Sequence, residues 1–196
     1  MILFLDTETT GLYPGQICQI SYIMTDENGT IGKNFFFTVD FVERGAEAVH
    51  GFSVEKLRAL SGGKKFCDYS NEILCDLKSA DLVVTHNTAF DFMFLDKEFG
   101  RLDLAFVPKN QFCSMKNMVS VCKLSRSSGK GYKYPKLSEL TAFFGITDLE
   151  ILEESKKIFG SGCGYHDSRF DTTAVYLSIK RAVERKVLTG ELWKDF

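Results

Sequence analysis

The segment QICQISYIMTDENGTIGKNFFFTVD, residues 16–40, constrains the fold more than any other part of the chain. Two runs rich in β-branched and aromatic residues flank an Asn-Gly pair, and Asn-Gly supplies the backbone conformations that a tight hairpin turn demands. A third β-rich run, ILFLD, precedes them. Three antiparallel strands are therefore predicted to open the fold.

The first of those strands carries an unusual face. Side chains alternate along a strand, so within ILFLDTETTG (residues 2–11) Ile2, Phe4, Asp6 and Glu8 point one way while Leu3, Leu5 and Thr7 point the other. Asp6 and Glu8 then have Cα atoms roughly 6.5–7 Å apart, close enough for two ionised carboxylates to repel. Partial burial strengthens that repulsion, so a cation or a shared proton is expected between them. On this stretch alone, a turn-capping Asp6 beside a solvated Glu8 fits equally well.

Beyond residue 44 the hydrophobic period lengthens. GAEAVHGFSVEKLRAL reads as helical with Ser53 as an N-cap, and YSNEILCDLKSA holds a second helix. DLVVTHN reads as a short buried strand, AFDFMFLDKEFGRL as the helix after it, PKLSELTAFFGI as a helix ended by Gly145, and FDTTAVYLSIKRAVERKV as the last long helix. Strands first, then alternating strand and helix, give a mixed α/β domain. With 196 residues, 44% hydrophobic, the chain can bury a substantial core, and residues 1–196 are read as a single domain without internal repeats or low-complexity linkers.

A net charge of −2 and a pI near 6.0 exclude a generally polycationic nucleic-acid binder but leave room for a local basic track. Such a track is KLSRSSGKGYKYPK, residues 123–136, with five basic residues, no acid, and Tyr132 and Tyr134 interleaved. It reads either as a single-strand path or as a solvated loop. The six cysteines form no C-x-x-C pair, so neither a zinc site nor a redox motif is indicated. No run of 18 apolar residues and no signal-type leader is present, so a soluble cytoplasmic protein with no membrane partner is expected.

Two further acids fall on apolar helix faces. At 100° per residue Asp91 shares a face with Phe94 and Leu95, while Asp96 and Lys97 turn away; Asp171 lines up with Ala174, Val175, Ser178 and Ala182. Either acid alone reads equally well as a first-turn residue favoured by the helix dipole. Together with Asp6 and Glu8 they suggest four inward carboxylates, which a divalent metal makes tolerable. His166 precedes the last helix in the glycine-rich GSGCGYHDSRFD, and an imidazole beside such a cluster can take a proton from water. Asp167 is a rival carboxylate, off the helix face.

At this point the motifs resemble a known family. FLDTETTGL, AVHGFS, VVTHNTAFDFMFLDKEF, KLSELTAFFGI and HDSRFD occur in the order found in the DEDD superfamily of 3′-to-5′ exonucleases, in its histidine-bearing branch. Within it the chain looks most like the proofreading epsilon subunits and domains of bacterial DNA polymerase III. The resemblance runs from residue 2 to about residue 180. It implies a ribonuclease H-like mixed sheet, three antiparallel strands then parallel strands, with helices packed on its faces. It also implies a metal-dependent 3′-to-5′ exonuclease that hydrolyses single-stranded or frayed DNA ends to 5′-mononucleotides.

Carried over position by position, the resemblance makes Asp6, Glu8, Asp91 and Asp171 the ligands of two Mg²⁺ or Mn²⁺ ions and His166 the general base. Asp6 would bridge both metals, Glu8 and Asp171 complete one site, and Asp91 serve the other. Thr9, Thr10 and Leu12 match positions that touch the terminal nucleotide; His50, Asn87 and Phe90 match positions lining or supporting its pocket. Ser168 replaces the family's usual alanine, and Ser114 stands where threonine is common. Implied partners are a single-stranded DNA or RNA 3′ end and a DNA polymerase subunit. An exoribonuclease or oligoribonuclease of the same superfamily would use the same five residues. A non-catalytic nucleic-acid-binding or scaffold protein would be expected to lack one of them.

Overall fold

The computed structural model describes residues 1–164 and 166–193. β1 (Ile2–Thr9), β2 (Ile17–Asp26) and β3 (Gly29–Phe36) are antiparallel neighbours, the second turn falling at Glu27-Asn28 with Gly29 opening β3, one residue ahead of the expected Asn-Gly pair. The chain then runs through α1 (Arg44–His50), α2 (Val54–Ser61) and α3 (Phe66–Ser79) to β4 (Leu82–Thr85) and α4 (Thr88–Gly100). β5 (Gln111–Cys113) follows, with two single-turn helices, α5 (Ser114–Asn117) and α6 (Val119–Cys122), then α7 (Leu137–Phe144), α8 (Asp148–Phe159) and α9 (Ser168–Glu184). A short 3₁₀ turn spans Glu191–Trp193.

The strands form one five-stranded sheet in the order β3-β2-β1-β4-β5, with β4 parallel to β1 and β5 parallel to β4. This is the ribonuclease H-like mixed sheet. Alternation along β1 divides the core in two. Leu3 and Leu5 pack with Ile20, Tyr22, Ile73, Leu77, Phe94 and Leu95 on the α3/α4 face. Ile2 and Phe4 pack with Ile23, Leu140, Phe144, Ala174, Val175 and Ile179 on the α7/α9 face. Asp6 and Glu8 therefore continue the face covered by α9, and small residues on that helix let it approach closely.

Both predicted caps are in place: the Ser53 hydroxyl accepts the Lys56 N–H at 3.2 Å, and Gly145 ends α7 at φ 70°. Asn87, with φ 81°, turns the chain into α4. No helix among the described residues is long and apolar enough to cross a membrane.

Candidate active site

Delivery of Asp171 to β1 depends on polar residues buried in β2. In the β1/β2 register Asp6 lies opposite Ser21 and Glu8 opposite Gln19. Both partners reach across to the start of α9. The Ser21 and Ser168 hydroxyls are 2.5 Å apart, the Ser168 N–H donates to Gln19 Oε1 at 3.1 Å, and Thr172 Oγ1 donates to the Ser21 carbonyl at 3.1 Å. Ser168, where the family's usual residue is alanine, thus adds a contact between α9 and β2.

Asp167 is the N-cap of α9. Its Oδ1 accepts from the Arg169 N–H, Arg169 Nε and Gln19 Nε2, and its Oδ2 from Arg169 Nη2 at 2.6 Å. Both of its oxygens are engaged, which separates it from its neighbours in role. One turn later Asp171 points at β1, and one oxygen from each of Asp6, Glu8 and Asp171 lies within 4.8 Å of the others.

Asp91, only 2% exposed in the first turn of α4, stands beside this trio. Thr7, on the opposite face of β1 from Asp6, donates its hydroxyl to Asp91 Oδ1 at 2.9 Å. The structure gathers three of the four expected carboxylates and holds the fourth against Thr7, where its charge still acts on Asp6 and Glu8. Phe94 and Leu95 are buried with Asp91, and Asp96 and Lys97 are exposed, as the helical spacing requires.

Burial, followed by mutual repulsion, dominates the electrostatics. It pushes Asp6 well above the carboxylate range, with Asp171, Asp91, Glu8 and Asp167 adding to the effect. Burial and the neighbouring Asp171, Asp167 and Asp91 lift Glu8 to about 9. Burial lifts Asp91 to about 7 against the hydrogen bond from Thr7, and lifts Asp171 to about 6 against the opposing charge of His166. At neutral pH these acids cannot all ionise unless a cation joins them. Clustered hard oxygens without a basic side chain among them suit Mg²⁺ or Mn²⁺.

A pH dependence follows, and its sign is opposite to that of a salt-bridged carboxylate. Acids raised in the fold release protons on unfolding, so metal-free stability falls as pH rises from about 4, the unfolded value, through folded values of about 6, 7 and 9. Divalent cation should relieve the penalty most where it is largest. The melting temperature without metal is expected to drop between about pH 5 and pH 9, and Mg²⁺ or Mn²⁺ to raise it more at the alkaline end. Differential scanning fluorimetry checks this; an equal metal-induced shift at both ends would refute it.

Next to the trio lies a pocket of about 320 Å³ lined by Thr7, Glu8, Thr9, Gly11 and Leu12 of β1 and the loop after it, by Phe90 of α4, and by Glu43, Gly45, Ala46, Val49 and His50 at α1. Leu12 stands at its mouth, 76% exposed. The loop that carries Leu12 is stapled at its base: Thr10 N–H donates to the Gln16 carbonyl, Gln16 N–H to Thr10 Oγ1, both at 3.0 Å, and Thr9 Oγ1 to the Gly11 carbonyl at 2.8 Å. His50 Nδ1 accepts the Phe52 N–H at 3.0 Å, which leaves the ring proton on Nε2 to donate to the Thr9 carbonyl at 3.2 Å. Burial lowers the His50 pKa, so the ring is a neutral brace.

Thr10 and Asn87 do not line the pocket; the first is fully buried in the staple, and the second turns the chain into α4. The α1 wall was not read from the sequence, although AVHGFS marks where it ends. Glu43 sets that wall by donating its N–H to the Thr10 carbonyl at 2.9 Å and packing its carboxylate against Gly11, where any Cβ would collide. His166 is exposed just before α9, in the left-handed region at φ 57°. Its charge acts on both Asp171 and His50, so it lies near both.

Comparison with known proteins agrees with this architecture. The profile of the RNase_T exonuclease family matches residues 3–150. DNA polymerase III subunit epsilon of Salmonella typhimurium is 31% identical over 131 residues, covering 62% of this chain and 52% of that protein. The epsilon subunit of Rickettsia felis is 32% identical over 139 residues, covering 67% and 57%. The chain thus spans about half the length of these relatives. Among solved structures, E. coli Exonuclease I in complex with a dA16 oligonucleotide superposes with a TM-score of 0.71 over 98% of this chain and 42% of that one; at 19% identity this speaks for the fold.

Proposed function

Starting from the fact that the chain belongs to the RNase_T exonuclease family, we propose that residues 1–196 act as one metal-dependent 3′-to-5′ exonuclease domain that shortens single-stranded or frayed DNA ends to 5′-mononucleotides. The observation that carries this reading is the convergence of Asp6, Glu8 and Asp171 within 4.8 Å at the edge of a pocket of about 320 Å³. Asp6, Glu8 and Asp171 would hold Mg²⁺ or Mn²⁺, with Asp91 completing the set from α4. When bound, such ions supply the Lewis acidity that activates water and neutralises charge on the attacked phosphate and the departing 3′ oxygen.

The chain's own residues do the rest. The apolar pocket between Leu12, Val49 and Phe90 receives the terminal nucleoside, and the neutral His50 ring holds the Thr9 backbone that forms its floor. The α1 wall beside the pocket favours a free strand end over an internal bond. His166, exposed and near enough to Asp171 for its charge to act on it, takes the proton from the attacking water. DNA is favoured as substrate because the epsilon relatives belong to a DNA polymerase and the structural neighbour carries a DNA oligonucleotide. On the same grounds a polymerase subunit is the proposed partner, and removal of misincorporated ends the proposed role.

Removal of metal provides the test. Exhaustive chelation is expected to abolish shortening of a 5′-labelled single-stranded oligodeoxynucleotide, and Mg²⁺ or Mn²⁺ to restore it as a ladder of products that retain the label. Undiminished activity after chelation would sink the metal-dependent reading. Rapid cleavage of a circular single strand would sink the end-directed one.

A further inference from the structure

The basic segment 123–136 folds back on itself into a two-stranded finger. Lys133 N–H donates to the Leu124 carbonyl at 2.8 Å, Arg126 N–H to the Gly131 carbonyl at 3.3 Å, and Gly129 N–H to the Arg126 carbonyl at 2.9 Å, with Ser125 and Tyr132 bridged antiparallel. Gly129 and Gly131 take φ 71° and 74° at the tip, where L side chains are strained. Tyr132 and Tyr134 remain 44% and 56% exposed.

Its cations divide into two kinds. Arg126 Nε donates to the Tyr132 carbonyl at 2.9 Å and Lys133 pairs with Glu139 on α7, so these two build the finger. Lys136 is exposed at the N-cap of α7, where its charge acts on Glu139, whereas Lys123 and Lys130 are exposed and have no carboxylate partner among the described residues. The finger is also tied to the site. The His86 ring, just after β4, hydrogen-bonds Ser114 Oγ at 2.9 Å and lies close enough to the Pro135 carbonyl for that carbonyl to act on it. His86 directly precedes Asn87, the N-cap of the helix whose first turn carries Phe90 and Asp91.

We propose that this finger is the upstream track for single-stranded nucleic acid, with Lys123 and Lys130 holding backbone phosphates and Tyr132 and Tyr134 stacking on bases 5′ to the nucleotide in the pocket. The inference rests on the nuclease reading above. Two free cations paired with two exposed rings match a strand that alternates phosphates and bases, whereas a flat acidic protein surface would use the charges and leave the rings idle.

The test compares kcat/KM on a 5′-labelled oligodeoxynucleotide of about 20 nucleotides across a salt series. For Lys123→Gln/Lys130→Gln the slope of log kcat/KM against log salt should become shallower by about 1.4, two phosphate contacts at about 0.7 each on a single strand. Lys64→Gln/Lys78→Gln, an equal charge change at exposed positions in the α2–α3 loop and on α3, should keep the wild-type slope. Tyr132→Ala and Tyr134→Ala should each raise KM by about tenfold with little change in kcat, and Tyr→Trp at the same positions should restore it.

A wild-type slope in the lysine variant, or tyrosine variants with wild-type KM, would overturn the proposal while leaving the nuclease intact. Inhibition of the wild type by poly-L-glutamate that the lysine variant escapes, with the oligonucleotide slope unchanged, would overturn it in favour of an acidic protein partner. A wild-type protein inactive on the oligonucleotide would overturn the nuclease reading itself.

Discussion

Asp6→Asn should lower kcat on a single-stranded oligodeoxynucleotide by about 10³-fold or more while making the metal-free protein more stable. Lost activity follows from position: Asp6 is the carboxylate on which Asp171, Asp91, Glu8 and Asp167 all act, so it lies at the centre of the charge cluster. Loss of a central ligand forfeits several kcal/mol of transition-state charge stabilisation, and each 1.36 kcal/mol corresponds to about a factor of ten. The gain in stability has the same origin. Asparagine keeps the shape of the side chain and removes a charge whose ionisation burial opposes, so about 1–2 kcal/mol should appear near pH 8. In a chain of this size that is several degrees of melting temperature. Asp96→Asn, on the exposed face of α4, should change neither quantity. Wild-type turnover in Asp6→Asn would remove Asp6 from the site, and lost turnover with lowered stability would make its role structural.

The sequence revealed carboxylates more readily than the groups that hold them. Strand alternation put Asp6 and Glu8 on one face, and helical spacing turned Asp91 inward with Phe94 and Leu95, because both periods are local properties of the backbone. What brings α9 onto β1 is a set of tertiary contacts from Gln19 and Ser21 to Ser168 and Thr172. On the β2 side their only trace in the sequence is Gln19 and Ser21 within the apolar run ICQISY, and a strand reading absorbs those without comment. Asp167 illustrates the same limit. Composition cannot distinguish a free ligand from a cap, whereas the structure shows both of its oxygens occupied by Arg169 and Gln19.

Some of what went unread did leave a signal. Helix α8 begins at Thr147, whose hydroxyl accepts the Glu150 N–H, and ends at Gly160 in the left-handed region. Thr-x-x-Glu at one end and glycine at the other is a helix signature. β5 left less, being three residues long with Gln111 exposed; it exists through pairing to β4. The α1 wall of the pocket is legible only in three dimensions, since Glu43 meets Gly11 across a separation of 32 residues.

His166 carries the last prediction, because its position and its chemistry make separate demands. Its backbone is left-handed at φ 57°, a conformation that histidine and asparagine tolerate better than most residues. His166→Ala therefore changes two things at once, the proton acceptor and the ease of the turn. His166→Asn keeps the turn and removes the base. If proton transfer is the role, both variants should lose about 10²- to 10⁴-fold in turnover, with KM and metal affinity nearly unchanged. Recovery of turnover in His166→Asn relative to His166→Ala would make His166 a turn residue. The base would then have to be sought elsewhere, and Asp167, with both oxygens held by Arg169 and Gln19, is poorly placed to serve.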